Sequence, residues 1–152
     1  MEIKEKKMKK CLMEGAISAE FIAKSIAGHQ SKTGIGAHTI FLGQVRADDM
    51  NGKTVTAIEY SAYSEMAEKE FHRIREEAFA KFDLTCLHVY HSTGRVKSGE
   101  ISLFVMVSSK HRKESLKAQE FLVEEIKHAV PIWKKEIFKD GSENWVDGLP
   151  KD

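Results

Sequence analysis

Two stretches of helical period, residues 64–82 and 113–129, are each followed by a short run of β-type residues, and this alternation constrains the fold more than any other feature. In the first stretch Ala67, Phe71, Ile74, Ala78 and Phe82 fall on one face of a helix, with Ser64 placed to cap it. The second runs from about Lys113 to Ala129 and has to stop near Pro131, because a proline pushes the residue before it out of the helical region. A shorter helix is expected after Ser18, carrying Phe21, Ile22 and Ile26 and closed by Gly28. The stretch Ile35–Arg46 is apolar on both faces in its middle, so it reads as a strand at the centre of a sheet. Asn51-Gly52 marks a tight turn before a strand at Val55–Tyr60. Leu84–His91 and Glu100–Ser109 read as strands joined by a polar segment, 92–99, and Ile132–Phe138 and Asn144–Val146 as a terminal hairpin around Asp140-Gly141. Hairpins interleaved with helices predict an α+β chain with a largely antiparallel sheet. Residues 1–14 read as a weakly ordered, Lys-rich lead-in, and 15–152 as a single domain.

Charge and cysteine content narrow the function. With 24 Lys+Arg against 23 Asp+Glu the net charge is +1, not the strongly basic balance of a polyanion binder. No apolar run is long enough to span a bilayer, and the N-terminus lacks the apolar core of a secretory signal. A cytoplasmic domain that engages neither membrane nor nucleic acid is expected. Cys11 and Cys86 are too few for a disulfide framework or an all-cysteine zinc site, and Cys86, within LTCLHVY, reads as a buried, inert thiol. His88 and His91 are three apart on a strand, face opposite sides and fail as a metal pair, so no metal site is expected.

No nucleotide-binding, phosphate-loop, zincin or nucleophile-elbow signature is present. What remains is cations at the ends of apolar elements: Arg46 after FLGQV, His111 and Arg112 after ISLFVMVSSK, Lys127 in the last turns of a helix, and Lys134 and Lys135 in PIWKKE. Lys127 borders the apolar stripe of its helix, with Leu116, Val123 and Val130 within about 60° of it. Such charges suit a phosphate or carboxylate ligand, although a lysine-rich chain also places some there as ordinary solvated charge.

At these residues the chain resembles the large, catalytic subunit of molybdopterin synthase. The likeness rests on FLGQVR (Phe41–Arg46), IEY (Ile58–Tyr60), HSTG (His91–Gly94) with Gly99-Glu100, VSSKHR (Val107–Arg112), IKHAVPIWKKE (Ile126–Glu136) and Trp145. It implies an α/β hammerhead-type fold with an added antiparallel portion. It also implies a sulfurtransferase: a small ubiquitin-like partner brings a thiocarboxylate on its C-terminal Gly-Gly tail. The sulfur passes to cyclic pyranopterin monophosphate, and two transfers form the dithiolene of molybdopterin. No resident cofactor is implied. By the same resemblance Lys127 and Lys134 are the catalytic lysines. Gln44, Val45, Arg46, His111, Arg112, Lys127, Lys134, Lys135 and Glu136 line the substrate pocket. The assembly it implies is a homodimer of this chain flanked by two small subunits, each pocket drawing on both large subunits. Gln44 stands where the family often has lysine, which removes one positive charge. A nucleic-acid-binding module and a non-catalytic assembly subunit are the readings that compete with this one.

Overall fold

The computed structural model describes residues 9–146. The elements in chain order are β1 (Leu12–Glu14), α1 (Ala19–His29), β2 (Ala37–Gln44), β3 (Asp49–Met50), β4 (Lys53–Ala62), α2 (Ser64–Lys81), β5 (Cys86–Lys97), β6 (Ile101–Ser109), α3 (Arg112–Ala129), β7 (Ile132–Phe138) and β8 (Glu143–Trp145). The main path of the sheet is β2-β6-β5-β4-β7-β8. All pairings are antiparallel except that of β1 with β5. This is the expected α+β architecture.

The helices lie on the two faces of the sheet. On one face α1 packs through Phe21, whose ring meets Tyr90 and Phe104 edge-on at 4.8 and 6.3 Å, over buried Ile17 and Met106. On the other, α2 and α3 cover the main core, which includes Phe71, Ile74, Leu87, Val105, Val107, Leu122 and Ile126. Phe71 and Phe104 are fully buried, each worth about 1.5–3 kcal/mol by removal from water.

Local signals account for several boundaries. Ser18 caps α1, its hydroxyl accepting from the Phe21 N–H at 3.1 Å. Asn51 and Gly52, with φ of 53° and 80°, make the two-residue turn between β3 and β4. After α3 the chain leaves the helix at Val130 and enters β7 just past Pro131. Other expectations are corrected. Ser64 is the first residue of α2, not its cap: Tyr63 holds that position without a side-chain bond, and its carbonyl accepts from the Ala67 N–H. Helix α1 runs one residue past Gly28.

Three larger corrections follow from tertiary pairing. Strand β2 is at the edge of the sheet, paired among the described residues with β6 alone, and Ile40 and Leu42 on its outer side are 38% and 42% exposed. Two apolar faces signal a demand for burial, not a position between two strands. The polar run 92–97 is strand rather than loop, because β5 changes partner along its length. Cys86–His91 pair with β6, Gly94–Lys97 pair with β4, and β1 lies beside His91–Thr93. Gly94, at φ 78°, sits at that change. Last, the lead-in is ordered at its C-terminal end, where β1 is part of the sheet and the Cys11 N–H donates to the Glu68 carboxylate at 2.8 and 3.1 Å. Residues 1–8 and 147–152 lie outside the described residues.

Candidate active site

The end of β2 meets β4, β5, α3 and β7 around a cavity of about 100 Å³ lined by Gly43, Gln44, Tyr60, His91, Lys127 and Lys134 among others. It continues into an open cleft bordered by Val45, Arg46 and Glu136. Strand register explains the convergence. Tyr60 stands directly opposite Lys134, and Ile58 opposite Glu136, so these side chains share one face. At the Gly43/Gln44 bulge β2 shifts register against β6, and a methyl on Gly43 would come within 3.1 Å of the Leu103 Cβ. Glycine there keeps strand and cavity wall close.

The site combines apolar walls with fixed polar groups. The Tyr60 hydroxyl donates to Ser102 Oγ at 3.0 Å, and burial pushes its pKa upward. His91 is buried edge-on to Tyr60, ring centroids 5.2 Å apart, and its Nδ1–H donates to the Ser92 carbonyl at 2.8 Å. Burial, with the nearby Lys134 and Lys127 charges, lowers the His91 pKa to about 4, so the imidazole is neutral and its Nε2 carries a lone pair. Lys134 is half-buried, and burial first, then the charges of Lys127 and Arg46, push its pKa below the usual lysine range. Lys127 is half-buried on the wall beside Ile126 and Val130. Two lysines at a partly desolvated apolar cavity can hold an anion, stabilise a developing oxyanion and move a proton.

Six of the sequence-predicted site residues come together here: Gln44, Val45, Arg46, Lys127, Lys134 and Glu136. Val45 is buried, and exposed Arg46 pairs with Asp48 at 3.2 Å. Glu136 is buried and accepts from Asn144 Nδ2 at 3.2 Å. Lys135 points to the opposite face of β7, held between Glu59 and Glu143 at 3.3 and 3.2 Å and lying over the Trp145 ring. His111 and Arg112 also lie elsewhere, exposed at the start of α3 where Ala37 pairs with Ser109. The cavity is at the other end of the same strand pair, where Gln44 meets Ile101, roughly 23 Å away at 3.3 Å per residue. Leu116, one of the residues that set Lys127 beside the apolar stripe, is 57% exposed. The stripe is carried instead by Ala118, Leu122 and Ile126.

Sequence reasoning gave no role to Tyr60, His91 or Ser102. The available signal was a tyrosine and a histidine in strands whose neighbours on the same face are apolar.

Residues 14–129 match the family model described as MoaE protein. The molybdopterin synthase catalytic subunit of Pyrococcus abyssi is 41% identical over 118 residues, covering 78% of this chain and 78% of that protein. The catalytic subunit from Bacillus subtilis is 39% identical over 130 residues, 86% of this chain and 79% of that one. Among solved structures, molybdopterin synthase from Staphylococcus aureus superposes with a TM-score of 0.78 at 32% identity, covering 93% of this chain and 100% of that chain. The complex of subunits 1 and 2 of molybdopterin-converting factor from Helicobacter pylori shares the fold, with a TM-score of 0.77 at 23% identity over 90% of this chain and 89% of that one. The chain belongs to the MoaE family, the catalytic subunits of molybdopterin synthase.

Proposed function

We propose that this sulfurtransferase works in the cytoplasm on cyclic pyranopterin monophosphate, taking sulfur from the thiocarboxylated Gly-Gly tail of a small ubiquitin-like partner, with no resident cofactor. The observation that carries the reading is the convergence of Lys127 and Lys134 on one cavity beside neutral, buried His91. A narrow, partly apolar cavity suits a tail of two glycines, which needs no room for side chains. In each transfer the thiocarboxylate sulfur bonds to a substrate carbon as a C–O bond of that carbon breaks and its oxygen leaves. Water then cleaves the acyl–sulfur bond, leaving the sulfur on the substrate and the tail a carboxylate. On this reading the Lys127 and Lys134 side chains stabilise the acyl oxyanion as it develops. The chain's own thiols take no part: Cys11 is buried in the core, with burial and Glu68 pushing its pKa to about 12, and Cys86 lies on the other side of the sheet from His91. The Helicobacter pylori relative, itself a two-subunit complex, supports a small-subunit partner.

Lys127, Lys134 and Arg46 of one chain border the cavity and its cleft, whereas His111 and Arg112 of the same chain lie too far away to join them. We infer a homodimer within a heterotetramer, in which His111 and Arg112 of a second copy complete each pocket with Arg46. The outer edge of β2, which pairs with no other strand among the described residues, and the exposed Ile40 and Leu42 are compatible with such pairing. Incubating the chain with the thiocarboxylated partner and the pterin precursor tests the activity. Dithiolene formation is expected. A product count of zero with a competent partner would rule the reading out in favour of a non-catalytic subunit.

A further inference from the structure

On the face of the sheet away from the cavity, three ligand-bearing side chains from two elements converge. His29 is the last residue of α1, and Cys86 and His88 are two apart on β5, so both point toward the side that α1 covers. One ligand atom from each lies within 4.8 Å of the others. His29 Nε2 and His88 Nε2 face each other at 2.8 Å, rings 4.7 Å apart between centroids. His29 and Cys86 are buried, and His88 is half-buried.

The hydrogen bonds around the trio orient it. His29 Nδ1 lies 2.6 Å from the Ser25 carbonyl, which can only accept, so the ring proton is on Nδ1 and the Nε2 lone pair points at His88. An imidazole whose far nitrogen is anchored on a backbone carbonyl is oriented as metal-bound histidines usually are. Lys32 Nζ, from the loop after α1, donates to Cys86 Sγ at 2.9 Å, a contact that a metal-bound thiolate can keep as an outer bond. His38 borders the trio without joining it, its ring 6.1 Å from that of His29 and its Nδ1 bonded to Ser108 Oγ at 2.6 Å.

We propose that His29, His88 and Cys86 bind a thiophilic transition-metal ion of the Zn²⁺ class, independently of the sulfur-transfer pocket. Two imidazoles and a thiolate select such ions over Mg²⁺ or Ca²⁺, which take oxygen ligands. The geometric adjustment is small. Tetrahedral zinc with bonds of about 2.0–2.1 Å holds two nitrogens roughly 3.3 Å apart, so the histidines open by about 0.5 Å and the sulfur closes by about 1 Å. The ion takes the place of the single proton that two facing Nε2 atoms can share. Because His29 and His88 are 59 residues apart, it would pin the C-terminal end of α1 to β5 and act as a structural clamp.

The test uses the full chain, reduced and stripped with chelator, then titrated with Co²⁺ and with Zn²⁺. Expected are one ion per chain, a sulfur-to-cobalt charge-transfer band, and a melting temperature that rises with Zn²⁺. Cys86→Ser should lose the band, while Cys11→Ser keeps it. His88→Gln should weaken Zn²⁺ binding by at least about a hundredfold in competition with a chromophoric chelator, the upper end of what loss of an outer-shell partner costs. His29→Gln lies at a helix end and provides the same measurement if either β5 variant fails to fold. Absence of the charge-transfer band in the wild type would overturn the site. So would Zn²⁺ binding or stabilisation that survives His29→Gln or Cys86→Ser unchanged.

Discussion

His91 stands edge-on to Tyr60 at 5.2 Å between ring centroids, and its Nδ1–H is committed to the carbonyl of its own neighbour, Ser92. One buried imidazole is thereby fixed in the neutral tautomer on the floor of a cavity that also holds two lysines.

That arrangement sets a pH dependence of stability. The His91 pKa falls from 6.5 to about 4 on folding, chiefly because burial penalises the cation. Between those values the unfolded chain binds the extra proton, so stability is lost as pH falls from about 6.5 toward 4 and is recovered above. Half-buried His88, also lowered to about 4, adds to the same window. Replacing His91 with Asn should flatten the acid limb by close to one proton in denaturant melts across pH 4–7. An unchanged slope would mean that His91 is not held neutral by burial.

Lys127→Ala should separate chemistry from folding. The side chain is half-buried at the cavity wall, and the described hydrogen bonds and salt bridges assign it no partner, so the stability cost should stay below about 1 kcal/mol. Loss of a preorganised donor to an oxyanion typically costs about 10²–10³ in rate. Dithiolene formation should fall by that much while the melting temperature and small-subunit binding hold.

Lys134 and Lys135 are adjacent on β7 but have opposite environments. Lys135 is engaged by Glu59, Glu143 and the Trp145 ring, so Lys135→Ala should leave turnover within about twofold of wild type. Lys134 faces the cavity with a lowered pKa, so if its ammonium donates the proton, the alkaline limb of kcat should fall below the ordinary lysine range. Arg46→Gln removes one of the charges that depress it and should move that limb upward. A limb that does not respond would assign the proton transfer to another group.

Legibility of the sequence differed by kind of signal. The Ser18 cap, the Asn51-Gly52 turn and the stop at Pro131 are local, fixed by a few residues' own conformational preferences, and they hold in the fold. The edge position of β2 and the strand at 92–97 depend on which segments pair across the chain, and no local pattern carries that. The same limit applies to the site. Lys127 and Lys134 meet because α3 and β7 flank one cavity, whereas Tyr60 and His91 are contributed by strands whose pairing a linear reading cannot see. His29, Cys86 and His88 came from segments read separately: His29 just past the helix closed by Gly28, Cys86 as an inert thiol and His88 as a strand residue that makes no metal pair with His91.

The separation of His111 and Arg112 from the cavity gives the sharpest test of the assembly. Arg112→Ala should weaken precursor binding by roughly ten- to a hundredfold if its guanidinium grips the phosphate, at about 1.5–3 kcal/mol per charge-assisted bond. If each pocket takes Arg112 from one copy and Lys127 from the other, a hybrid dimer of Arg112→Ala with Lys127→Ala holds one pocket with both lesions and one with none. Random pairing of equal amounts makes half the dimers hybrid, so with little precursor about one quarter of wild-type activity should return where neither variant alone approaches it. The control is a mixture of Lys127→Ala with Lys134→Ala. These two lysines line the same cavity of one chain, so every hybrid pocket lacks one of them and activity should not recover. Recovery in the first mixture and not in the second requires a pocket shared between copies. Activity equal to the sum of the separate variants in both mixtures would place the whole site within one chain and leave Arg112 outside it.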